Sequence, residues 1–198
     1  VNNAPDKVRE IFLNSIEEIK FSNINYKDTA HYNVKEKAIK INLSKDRLDL
    51  KGKGAYTTVF HEIGHLIDRK LGKVSTHSRL SLGFKSAIIK DVNNFVSNIK
   101  DLYKLKSDDE VREFINENLL INNKTHSISD IFGGVTGNKI RGAFGHKNEY
   151  WQRKGSLERE TFAHLFEATI RDDKYKLKLI KEILPESYSE FLKMLGDE

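Results

Sequence analysis

The chain of 198 residues contains no cysteine, which excludes disulfides, thiolate metal ligands and cysteine-nucleophile chemistry. Any metal it holds must be bound by His, Asp and Glu. No apolar run approaches the roughly 18 residues of a membrane span, and no signal peptide opens the sequence, so neither a membrane protein nor a simple secreted one is expected. The first residue is Val1 rather than Met, so a processed form or a piece of a longer protein is expected. Low-complexity tracts, internal repeats and clear linkers are also lacking, and a single domain over residues 1–198 is expected. Charge of one sign is not segregated. The net charge is +5, but the lysines are scattered among acids, as around Ser107 to Glu117, so no specific nucleic-acid partner is expected.

What is present is a core-forming apolar content of 38% and helical periodicity over much of the chain. Val8, Ile11, Phe12, Ile16 and Ile19 fall at helical spacing over residues 6–20. Two short strands are predicted at 30–34 and 38–43, the second alternating Ile39, Ile41 and Leu43 with polar neighbours. Helices are predicted at 55–71, 82–103, 108–119, 126–133, 156–171 and 174–195, the last broken at Pro185. Between them residues 133–151, "GGVTGNKIRGAFGHKNEYW", carry five glycines and no helical period, and read as a loop able to approach a cleft or move as a lid. The fold class is therefore α+β, mostly helical with a small N-terminal antiparallel or mixed sheet.

The chemistry concentrates in "TTVFHEIGHLIDRKLG", residues 57–72. On a helix, His61 and His65 stand four apart on one face, with Asp68 on the same side. Tyr56, Val59, Phe60, Ile63 and Ile67 form the face that would enter the core. Glu62 lies about 100° round from His61. Two imidazoles can then bind Zn²⁺ from one helix while a carboxylate reaches water without ligating the metal. Asp68 is a candidate to orient a ligand histidine. Gly64 costs roughly 1 kcal/mol inside a helix, so a close approach of backbone or substrate should compensate.

Two histidines need a third ligand. A histidine six residues past His65 is ruled out, because that position is Leu71. His77, in "GKVSTHSRLS", lies in a stretch that reads as a flexible loop. The helix at 156–170, "SLERETFAHLFEATI", is better placed: Glu160, His164 and Glu167 share one face, and the pattern separates Glu160 from Glu167 little. In the loop before it, Tyr150 first and His146 second are candidates to stabilise negative charge on a carbonyl oxygen. Trp151 reads as packing, and Asp130 as the cap of a short helix ahead of a hydrogen-bond partner for a ligand histidine.

Together, "FHEIGHLID", "ISDIFGGVTGNKIRGAFGHKNEYW" and "ERETFAHLFEA" resemble the C-terminal zincin-like domain of minor head proteins of tailed phages and prophages. The likeness covers all but about the first quarter of the chain. More distantly, "HEIGH" with a following E-x-F-A helix is similar to gluzincin-like peptidases, including the lethal-factor group. In those families the glutamate before the aromatic–Ala pair is the third ligand, which implies Glu160 here. The resemblance implies a zincin-like fold, one catalytic Zn²⁺ and a polypeptide substrate, with phage capsid or portal proteins as partners. It places the chain in the bacterial cytoplasm or the virion.

The expectation is a zinc endopeptidase with ligands His61, His65 and Glu160, and with Glu62 as general base. The strand near 38–43 would align an extended substrate along its edge. The alternatives are a catalytically silent zinc-holding interaction module and a toxin-type metalloprotease.

Overall fold

Helices dominate the computed structural model, which describes residues 1–25, 27–49, 51–142 and 144–196. Ala143 of the glycine-rich segment and residues 197–198 of the expected domain span lie outside the described residues. The N-terminal part runs α1 (Asp6–Ile16), β1 (Lys20–Ser22), β2 (His31–Asn33), β3 (Ala38–Lys40), α2 (Leu43–Arg47) and α3 (Thr57–Lys70). Then come α4 (Val74–His77), α5 (Ser81–Leu102) and α6 (Asp108–Phe114), which passes into a π-helical turn at Ile115–Leu119. A 3₁₀ turn (Asn123–Thr125) leads into α7 (His126–Thr136), followed by α8 (Asn148–Trp151), α9 (Ser156–Arg171), α10 (Lys174–Ile183) and α11 (Pro185–Leu195). The class is α+β, mostly helical, as the periodicity predicts. Among the described residues no helix is long and apolar enough to cross a membrane.

Local chemistry explains most boundaries. Ser107 caps α6 by accepting from Glu110 N–H, and Pro185 opens α11, where its missing N–H costs nothing. The glycine-rich segment is less loop-like than its composition implies. Gly133 and Gly134 belong to α7, and a Cβ on Gly134 would stand 3.1 Å from Trp151 ring atoms. That glycine lets the Trp151 indole lie against the helix.

The sheet holds one strand more than expected. Its order is β1-β3-β2, with β3 parallel to β1 and antiparallel to β2, so the sheet is mixed. The expectation that residues 38–43 offer a free edge is thereby corrected. Both sides of β3 are paired, and the free edges belong to β1 and β2. The first helix, expected to run to Lys20, ends at Ile16, and Lys20 opens β1, where pairing with β3 satisfies the backbone.

The centre of the fold is α9. Every residue of it except Arg159 and Arg171 is buried, and Phe162, Leu165, Phe166 and Ile170 anchor the core. Polar side chains on such a helix persist where they find partners. Glu167, fully buried, has Lys176 Nζ 3.0 Å from its Oε1 and Arg171 in direct contact. It is neither a surface acid nor a spare metal ligand, because its carboxylate is committed to this ion cluster.

α3 crosses α9 at close range. A Cβ at Gly64 would lie 2.8 Å from Ala163 Cα and 3.1 Å from its carbonyl oxygen. The compensation expected for Gly64 is therefore a backbone approach, and it brings the HExxH helix against α9. Gly64→Ala is expected to lower stability by about 1–3 kcal/mol, despite the roughly 1 kcal/mol that alanine gains over glycine in a helix. Urea unfolding measures this, and an unchanged or raised midpoint would contradict so tight a crossing.

Candidate metal centre

The start of α3 is held by a residue that the sequence does not single out. The Asp46 carboxylate accepts from Thr58 N–H at 3.2 Å and Val59 N–H at 2.9 Å, two of the unpaired donors of the first turn. Tyr56, expected on the core face, is instead an exposed left-handed residue just before the helix, with φ 61°. Leu66 takes a core position beside Val59, Ile63 and Ile67.

Across the Gly64–Ala163 contact, side chains 99 residues apart in sequence meet. Glu160, 2% exposed, turns one oxygen to each histidine of α3: Oε2 lies 3.2 Å from His61 Nε2 and Oε1 lies 3.5 Å from His65 Nε2. The Tyr150 hydroxyl donates to Oε1. Two sets of donors each fall within 4.8 Å of one another, His61 with Glu160 and His164, and Asp130 with His146 and Glu160. His65 stands outside both sets and joins the centre through Glu160.

Tetrahedral bonds of about 2.0–2.1 Å place neighbouring donors about 3.4 Å apart, between the 3.2 and 3.5 Å spacings from Glu160 to His61 and His65, while the sets that lie wholly within 4.8 Å take His164 or Asp130 and His146 in place of His65. Two imidazoles and a carboxylate suit zinc, and no thiolate competes. These buried His, Glu and Asp groups could therefore hold an ion.

The electrostatics of the arrangement follow from burial and from the charges that meet there. Burial holds His61 down to about 3, with His164 adding to the effect, so His61 is a neutral imidazole. Burial also opposes charge on His65, but the Glu160 carboxylate outweighs it and lifts His65 to about 9. Glu160 stays well below the ordinary carboxylate range despite its own burial, because the charge on His65 and hydrogen bonds from both histidines favour its ionised form. Glu62 is buried beside the pair and raised by that burial, against the pull of His65. Its Oε2 accepts from the Tyr32 N–H of β2 at 2.8 Å.

Asp130 is a hub, not a helix cap. It sits within α7, with Oδ2 3.0 Å from His146 Nδ1 and 3.1 Å from His164 Nε2, while Oδ1 accepts from His146 N–H at 2.7 Å. Burial opposes its charge, yet the hydrogen bonds from the two histidines keep its carboxyl below the usual range. The His146 ring stacks on Tyr150 with centroids 4.0 Å apart. His146 lines the cleft, whereas the Tyr150 phenol is committed to Glu160 and raised by burial.

Asp68 does not orient a histidine by hydrogen bonding. Its oxygens accept from Ser75 N–H at 2.8 Å and Ser75 Oγ–H at 2.9 Å, tying α4 to the end of α3, and it acts on His65 through charge. His77, on α4, pairs with Thr76 and belongs to neither donor set. Sequence reasoning assigned no role to His164 or His126. His164 was legible on the Glu160 face. Buried His126, with its ring centroid 5.7 Å from that of His164, follows from the packing of α7 on α9.

A cleft of about 510 Å³ opens over this centre, walled by α3, by α7 with the Phe144–His146 strip, and by segments between residues 24 and 54. Fold and site together define a cysteine-free α+β domain with an HExxH helix and a buried glutamate facing it. Comparison with protein-family models, with curated proteins and with solved structures returned no match.

Proposed function

We propose that the chain is a zinc-dependent endopeptidase of zincin-like architecture, with His61, His65 and Glu160 as ligands and Glu62 as general base. The observation that carries this is Glu160, a buried carboxylate from a second helix with one oxygen toward each histidine of α3. Zinc bound there acts as a Lewis acid toward the peptide carbonyl and brings the pKa of water toward neutrality. Glu62 takes the proton of the attacking water and passes it to the leaving amine, its raised pKa suiting both halves of the task. The Tyr32 N–H steadies that carboxylate, so the edge strand β2 positions the base.

The electrophilic role goes to His146 ahead of Tyr150, reversing the order read from sequence. His146 faces the cleft on a carboxylate partner, and that partner raises its pKa against the effect of burial, so it donates to the carbonyl oxygen as charge builds there. Tyr150 keeps Glu160 turned toward the histidines. Asp130 also fixes the tautomer of His164, whose ring packs against that of His61. By accepting from His164 Nε2–H it leaves Nδ1 a bare lone pair, while His61, with Nε2 given to a metal, carries its proton on Nδ1. Those two Nδ1 atoms are the buried ring nitrogens without partners among the described residues, in rings 4.4 Å apart. By the resemblance to minor-head-protein domains, the substrates are sought among phage capsid and portal proteins.

The test is metal analysis and cleavage of a fluorogenic peptide library on the same protein. One zinc per chain, with cleavage abolished by 1,10-phenanthroline and restored by added zinc, is the expected result. A chain that binds no zinc overturns the proposal, and zinc without cleavage of any peptide reduces it to a zinc-holding module.

A further inference from the structure

Four lysines line the cleft beyond the metal centre, and Lys53 is the one whose placement asks for a ligand. It is half-buried, just before α3, with its Nζ 4.6 Å from the centroid of the Phe144 ring. Among the described residues no acid forms an ion pair or hydrogen bond with it. Lys51 stands two residues away on the same wall. Of the acids lining the cleft, Asp46 is committed to the N–H groups of α3, Asp130 to His146 and His164, Glu62 to Tyr32 and Asp28 to Asn25 N–H, and Asp49 forms no ion pair with Lys53. Burial, followed by the like charge of Lys51, pulls Lys53 down to about 8. Holding an ammonium group partly out of water beside a second cation costs free energy, which the charges of Asp130 and Glu167 and the Phe144 ring offset only in part. An anion entering the cleft would offset the rest.

We propose that Lys53, with Lys51 beside it and Phe144 beneath, is a carboxylate-binding subsite that selects polypeptides presenting an acidic group a fixed distance from the scissile bond. This rests on the peptidase assignment, because the same cleft holds Glu62, His61 and His146. The carboxylate comes from an Asp or Glu side chain or from the chain terminus. Either forms a charge-assisted hydrogen bond with an ammonium group that is already partly desolvated. The Phe144 ring lies against the Lys53 ammonium group as a cation–π partner on the wall of the cleft.

The test is a positional-scanning library of internally quenched peptides, each made with a free and an amidated C-terminus. For the wild type, Asp or Glu at one position is expected to raise kcat/KM about tenfold or more over Ala. In Lys53→Met that ratio falls toward one, in Lys53→Glu it inverts toward Lys and Arg, and in Lys53→Arg it survives. Melting temperatures of the variants verify folding. If amidation alone removes the preference, the ligand is the terminal carboxylate; if an internal acid is required, it is a side chain. Cleavage without acidic preference, or a preference that persists in Lys53→Met, overturns the subsite and leaves the peptidase standing. Should no peptide be cleaved, anisotropy with fluorescein-labelled peptides carrying Glu or Gln decides separately. Tighter binding of the Glu peptides that Lys53→Met abolishes keeps the subsite while the peptidase assignment falls, and equal binding of both sets overturns the subsite.

Discussion

Glu62→Gln is expected to keep a full equivalent of zinc while peptide cleavage falls by about 10²–10⁴-fold, the usual contribution of a positioned general base. The amide oxygen of the new side chain can still accept from Tyr32 N–H, so the local geometry survives, but no group remains to take the proton from water. Glu62 is buried and its pKa is raised, so replacing it with a neutral isostere removes a poorly solvated charge. Stability should be unchanged or slightly higher. Zinc analysis, steady-state cleavage and thermal unfolding on the same preparation separate these effects. Full activity in the variant would remove Glu62 from the chemistry, and loss of zinc would make it a ligand.

Glu160→Ala should act on the metal itself. An outer-shell partner typically contributes 10–100-fold to affinity, and loss of one of three ligands should exceed that range, leaving the chain without zinc at micromolar metal. Full occupancy in this variant would sink Glu160 as the third ligand. The same residue governs the pH dependence. In the metal-free chain it lifts His65 from 6.5 to about 9, so the pair stabilises the fold fully below about pH 6.5 and loses that contribution as pH rises through about 9. Zinc must displace the His65 proton, so metal affinity moves the opposite way. It should climb with pH up to about 9, by as much as about tenfold per pH unit. Competition with a chromophoric chelator between pH 6 and 8 measures the slope. A flat profile would mean that His65 is already neutral or does not bind the metal.

The local half of the site was legible. Histidines four apart with a glutamate between them need nothing beyond helical geometry, and α3 forms over Thr57–Lys70 as that pattern requires. Pro185 likewise announces the break between α10 and α11. Glu160 emerged through resemblance rather than pattern, since Glu167 shares its face. What separates the two is their neighbours from distant segments: His61 and His65 for one, Lys176 and Arg171 for the other. Asp68 and Asp130 show the same limit. Asp68 sits on the histidine face but is held by Ser75 at the start of α4, while Asp130, resembling a helix cap in sequence, joins His146 and His164.

By itself, then, the sequence determined the exclusion of thiol chemistry, the mostly helical α+β class, and one helix carrying two imidazoles and a carboxylate. Each follows from composition or from a period of 3.6 residues, which neighbouring residues alone enforce. The tertiary structure decided which carboxylate faces those imidazoles, that β2 and not β3 borders the site, that His146 rather than Tyr150 meets the cleft, and that among the described residues no acid pairs with Lys53 there. The first of these depends on the α3–α9 crossing at Gly64 and Ala163, where the absence of a single Cβ lets two backbones approach. A contact between residues 99 positions apart sets the spacing of the site around Glu160, and no local period encodes it.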